Sequence, residues 1–357
     1  MTSAVNNRLH DIATSILYRD VFVKDDKAIR FLLTIHSHSK TSRRYPILVR
    51  TLTYKLQLKA HACVGYDLFS RTLAKMSKLS SLTISIPTQC GNVLVASLKE
   101  HGLIREVSNL FDALELLSNK ATASTPYLLP RLQNLTIEGE LALSELCVFR
   151  RVATLRVNDP VTYTDLAALY CNFHDITASK QALTRLHISL NLRTTEEVVR
   201  AVVGIADTFR NLEFLDIQAP YINALVSPCH YIYFNSNYFL KVLSDALAKN
   251  IGILHNVIEI SFNKSSSISP TFSPNRDACL SKQKAHMMGT GLPRQSLQVV
   301  QFGSMRWKRK EKLTWDLLDV SQLAASTKDQ RAPEALIVYN NTASLFYSFG
   351  DTDPSSM

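Results

Sequence analysis

The sequence predicts an α/β solenoid: a curved parallel sheet with helices on its convex side, opened by a helical N-terminal cap. Three observations carry the prediction. Leucine fills 49 of the 357 positions, an excess that points to a folded, leucine-driven core. An apolar-x-x-apolar-x-apolar pattern recurs along the chain, and eight copies carry the prediction. Segments of helical periodicity lie between the copies, and strand–helix alternation builds a parallel sheet with helices outside.

The eight copies are Val49/Leu52/Tyr54, Leu79/Leu82/Ile84, Leu132/Leu135/Ile137, Val152/Leu155/Val157, Leu183/Leu186/Ile188, Leu212/Leu215/Ile217, Val257/Ile260/Phe262 and Leu297/Val300/Phe302. Their starts are separated by 30, 53, 20, 31, 29, 45 and 40 residues. In each copy the last two apolar positions lie two apart, the period of a strand with one buried face. Helices are expected over Asp67 to Met76, Glu106 to Leu117, Ser236 to Lys249 and Lys312 to Leu323. A further helix opens at Thr194-Thr195-Glu196-Glu197, a capping box with Thr194 as N-cap and Glu197 at the third helical position. Residues 264–294 are Ser/Pro-rich and polar, and read as an inserted flexible loop. Strands at Leu336 to Tyr339 and Leu345-Phe346-Tyr347 are expected to close the last repeat, ahead of a disordered tail at 351–357.

One copy, Leu183-Thr-Arg-Leu186-His-Ile188-Ser-Leu190-Asn191, completes the L-x-x-L-x-L-x-x-N signature. The chain therefore resembles irregular, long-helix leucine-rich repeats. At the Asn position the other copies carry Gln57, Pro87, Glu140, Pro160, Pro220, Ser265 and Met305. The three prolines are expected to end their strands by removing a donor.

The segment Asp11-Ile-Ala-Thr-Ser-Ile-Leu-Tyr18-Arg19-Asp20-Val-Phe-Val-Lys24, then Ala28-Ile-Arg-Phe-Leu-Leu-Thr34, then Val49-Arg50-Thr-Leu52-Thr53, resembles a fungal F-box-like leucine-rich-repeat protein just after its F-box. The resemblance divides the chain into a post-F-box cap at 1–46 and a repeat solenoid at 47–350. It implies a substrate-recognition module of a ubiquitin ligase. The F-box proper has no counterpart here, so a Skp1-type adaptor is an expected partner only if a box precedes this chain. A box-less repeat scaffold is the alternative.

Chemical motifs do not compete with that reading. The sequence has no P-loop, G-x-S-x-G, H-E-x-x-H or G-x-G-x-x-G, and no enzyme, metal or cofactor is expected. The six cysteines lie at least 24 residues apart, which excludes C-x-x-C redox and zinc motifs. His36-Ser-His38 is expected in a solvent-exposed loop, and Cys229-His230 would point to opposite faces of a strand. Without a signal peptide or an 18-residue apolar span, the chain is expected to be intracellular, cytoplasmic or nuclear, with no membrane partner. Forty Lys+Arg face 30 Asp+Glu. The densest basic run, Arg306 to Lys312, is read as a solvated loop, with a nuclear nucleic-acid-binding role as the rival; nucleic acid is not the expected partner.

What remains is the open sheet face. Side chains between the inward apolar positions point to it, and the central copies place Arg156, Arg185 and His187 beside Phe214, Asp216 and Glu259. An aromatic ring among arginines and carboxylates has the composition of a protein-binding hot spot. The competing reading makes the same charges ordinary cross-strand pairs.

Overall fold

A computed structural model describes residues 9, 12–36, 44–57, 62–104, 128–148, 150–174, 182–192, 194–218, 254–263, 296–302, 305–310 and 314–318. The expected helices at 106–117 and 236–249, the loop at 264–294, the strands after 336, Pro220, His38 and Cys229-His230 lie outside the described residues.

The fold is mixed α/β, built on an open eleven-stranded sheet whose strands follow one another in sequence order. All eight expected strands are present. They are β2 (Thr51–Lys55), β3 (Ser81–Ser85), β4 (Asn134–Glu138), β5 (Thr154–Val161), β6 (Arg185–Leu190), β7 (Phe214–Gln218), β8 (Glu259–Asn263) and β9 (Val299–Phe302). Neighbours among them pair parallel and in register with the pattern, so that Leu52, Leu82, Leu135, Leu155, Leu186, Leu215, Ile260 and Val300 form one continuous row. Every member of that row is buried, as are the first apolar positions from Val49 to Leu297. Register is pinned because a one-residue slip would turn the whole row to the other face.

The backbone repeats as closely as the side chains. The carbonyl just before each strand accepts two N–H groups from the next one: Arg50 from Ser80 and Ser81, Ser80 from Gln133 and Asn134, Gln133 from Ala153 and Thr154, and so on to Ile258, which accepts from Gln298 and Val299. Each such carbonyl uses both lone pairs, satisfying the turn that leads into every strand.

The ladder starts one step earlier than the eight copies. Arg19's carbonyl accepts from Arg50 and Thr51, and strand β1 (Asp20–Lys24) pairs parallel with β2. Tyr18/Val21/Val23 is thus a ninth copy of the pattern. The helical cap expected over 1–46 does hold helical residues at 12–17 and helix α1 (Asp26–His36), but between them it contributes the first strand of the sheet.

Helices cover the apolar face. After the single turn α2 (Tyr45–Leu48), helix α3 (Ala62–Ala74) lays Phe69 on Tyr54 of β2, ring centroids 4.1 Å apart. Helix α4 (Gly91–Glu100) packs on α3, and α5 (Tyr163–His174) packs on α6 (Thr195–Thr208). Thr194 caps α6 as expected, its hydroxyl accepting from the Glu197 N–H at 3.1 Å. His36 departs from its expected solvent exposure. The end of α1 packs on α3, where the His36 ring lies 3.0 Å from the Thr72 hydroxyl. Burial and then the charge of Lys75 push the imidazole's pKa down.

Two further expectations are corrected. Pro160 does not end β5; it pairs with Ser189 after a bulge that skips residues between Val157 and Pro160. The bulge absorbs the missing donor and lets the strand continue to Val161. At the C-terminal side, the basic run forms strand β10 (Met305–Arg309), and Trp315–Leu318 of the expected helix is strand β11. Both pair antiparallel, β10 with β9 and β11 with β10. The cause is visible in the alternation: Trp307 is buried and the next residue, Lys308, points out, while on β11 Trp315 is buried opposite Arg309, the half-buried strand pattern.

Candidate functional site

The six residues singled out from the sequence occupy adjoining positions on β5 to β8. Arg156, His187 and Asp216 stand side by side in one cross-strand row, continued by Ser261, Gln301 and Arg306. Arg185, Phe214 and Glu259 stand side by side in the row two residues earlier. Strand alternation places all of them on the face opposite the helices.

Their contacts include one direct cross-strand pair, His187 with Asp216, and one pair that reaches over a strand. Asp216 is buried, and its Oδ2 lies 3.1 Å from His187 Nδ1. The imidazole also lies against the Phe214 ring, centroids 4.8 Å apart and tilted by 42°. Phe214 is half-buried, with the His187 ring against it and Arg185 and Glu259 on either side in its row. Glu259 is held by an arginine the sequence did not suggest. Arg306 Nη2 donates to both its carboxylate oxygens, at 3.0 and 3.1 Å, reaching across β9 from β10. The signal was hidden because a run of five basic residues reads as a loop, and only the buried Trp307 marks it as a strand.

Arg156 and Arg185 make no ion pair or hydrogen bond with any described residue. Arg156 is flanked by Thr136 and His187, Arg185 by Thr154 and Phe214. Arg185 is exposed and Arg156 half-buried. Thus both central carboxylates already have cationic or imidazole partners, whereas the two central arginines do not.

A second polar cluster lies on β2 to β5. Glu138 accepts from Lys55 Nζ at 3.3 Å and from Asn158 Nδ2 at 2.9 Å. Burial alone would raise its carboxyl pKa, but hydrogen bonds from Ser85, Asn158 and Lys55 and the lysine's charge hold it below the usual glutamate range. This cluster closes on itself and links β2 to β5 as structural cement.

On the helical side, Asp67, Glu100 and His101 bring potential metal-ligating atoms within 4.8 Å of one another. Asp67 is already bonded to His101 Nε2 at 2.8 Å and to Arg71 Nε at 3.1 Å. The hydrogen bond from His101 foremost holds the Asp67 carboxyl below its ordinary value. An arginine on the central carboxylate disfavours a cation there, and the contact is explained as a tie between α3 and the end of α4.

The basic run is likewise largely engaged. Arg306 binds Glu259, Arg309 donates to the Leu297 carbonyl, Lys310 pairs with Asp316, and Lys308 is exposed. Among the described residues no helix is long and apolar enough to cross a membrane. No protein-family model matches the chain, and no curated protein matches it in sequence.

Proposed function

We propose that the chain is a protein-binding repeat module of leucine-rich-repeat type, resembling the substrate-recognition part of an F-box ubiquitin ligase, with the polar sheet face as its docking surface. The observation that carries this reading is the cluster at β5–β8. A half-buried Phe214 ring is backed by the Asp216–His187 pair and stands near two arginines that have no partner among the described residues. Rigid aromatic anchors beside arginine are the residues that dominate protein interfaces. The repeat reading draws support from the eight-step backbone ladder, since stacking similar units builds an extended surface for binding. A nucleic-acid role for residues 306–312 is disfavoured because two of the five cations there are tied to carboxylates.

The test is affinity capture from cells expressing the chain from its native locus, comparing wild type with the double variant Phe214→Ala/Arg185→Glu. The variant is expected to lose its partners while melting at the wild-type temperature. An unchanged partner set would remove this face from the function. Copurification of a Skp1-type adaptor with cullin would support the ligase assignment, and capture of substrates alone would favour a box-less scaffold.

A further inference from the structure

We propose that the segment docked on this face is an extended acidic peptide of the partner protein. It would set two carboxylates, two residues apart, on Arg156 and Arg185, and an apolar side chain on Phe214. The inference rests on the docking role proposed above and adds to it the chemistry of the partner.

Charge comes first. Within the central rows, Asp216 is buried against His187 and Glu259 is held through both oxygens by Arg306. Neither carboxylate is available to Arg156 or Arg185, and both guanidiniums lack a described partner. Among the described residues, the face thus carries two positive charges at its centre that no carboxylate pairs. An open arginine fork is complementary to a carboxylate, which it binds through two parallel N–H donors.

Spacing comes second. Arg156 stands opposite His187 and Arg185 opposite Thr154, so the two arginines are diagonal neighbours on adjacent strands. Diagonal neighbours are about 7 Å apart. Side chains on one edge of an extended peptide recur every second residue, about 6.7 Å apart. Two acidic residues separated by one other therefore match the pair. Phe214, one strand beyond Arg185 in the same row, is left for a neighbouring apolar side chain. Thr136 and Thr154, which flank the arginines on their other side, add hydroxyls and no competing charge.

The test uses the full chain and three fluorescein-labelled probes read by anisotropy. One is a degenerate peptide pool with Asp or Glu fixed at two positions two apart and Leu beside them. The second has Asn or Gln at those positions, and the third is a 20-nucleotide oligo(dT). The acidic pool is expected to bind about tenfold or more tightly than the neutral one, a preference that weakens with salt. Arg156→Gln/Arg185→Gln should erase it, and Arg156→Lys/Arg185→Lys should restore part of it, all with wild-type melting temperatures. Equal affinity for the two pools would overturn the inference. If Phe214→Ala still abolished that equal binding, the docking face itself would stand. Binding of the acidic pool that ignores both arginine substitutions would also overturn it, as would an oligonucleotide that binds more tightly than the acidic pool through the same arginines.

Discussion

Gly139 follows β4 with φ at +119°, a backbone conformation that L side chains rarely adopt. A Cβ there would also run into the Ile86 backbone carbonyl, while the Gly139 N–H is bonded to the Asp159 carboxylate. Strain and collision act together, so Gly139→Ala should cost about 2 kcal/mol or more, read as a lower urea midpoint. Arg150 gives the complementary case of a buried charge. It adjoins Arg151 in the sequence, yet it is only 7% exposed and donates to the carbonyls of Leu128, Leu146, Val148 and Leu103. It thereby ties together the two chain ends that flank residues 105–127. Arg150→Met, which keeps the stem but strands those carbonyls, should destabilise by about 3 kcal/mol. A calorimetric melt measures it, and an unchanged melt would mean that water replaces the guanidinium at no cost.

Elements were legible in proportion to how far their own residues dictate them. The eight apolar triplets specify strands because burying every second side chain leaves no other period available. The Thr194 cap specifies the start of α6 because its hydroxyl satisfies a helix donor locally. Tyr18/Val21/Val23 carries the same triplet, with the charged Arg19 and Asp20 between its first two apolar positions. The β10–β11 hairpin was not legible, because its strands are marked by two buried tryptophans set in a basic stretch that reads as a solvated loop. At the candidate site the sequence brought the six residues to one face. It could not say which charges pair, because Glu259's partner comes from β10, 47 residues away. The Lys55–Glu138–Asn158 cluster allows an element-scale prediction. Because the Glu138 carboxyl is held below its ordinary value, the unfolded chain takes up this proton first as pH falls. Its stabilising contribution is full at neutral pH, starts to fall near pH 4.3, and is lost as pH drops through the depressed native value. Glu138→Gln should therefore be less stable than wild type at pH 7, and the gap between their urea midpoints should close at strongly acidic pH. A gap independent of pH would show that the cluster's ion pairing contributes nothing.

At the scale of the molecule, nine parallel strands share one register and one backbone bond pattern, and an antiparallel hairpin follows the last of them. Such a sheet separates its two tasks by face. The apolar face is buried beneath helices, and the polar face carries the His187–Phe214 ring contact. The central claim is that partners are read by the polar face. Its most direct test is site-specific photo-crosslinking in cells, with benzoylphenylalanine placed at Phe214 and Thr136 on that face, and at Val93 and Val199, which are exposed on helices α4 and α6. Adducts to a discrete partner from positions 214 and 136, and none from 93 and 199, are the predicted result. Adducts confined to the helix positions, with the sheet positions silent, would contradict it.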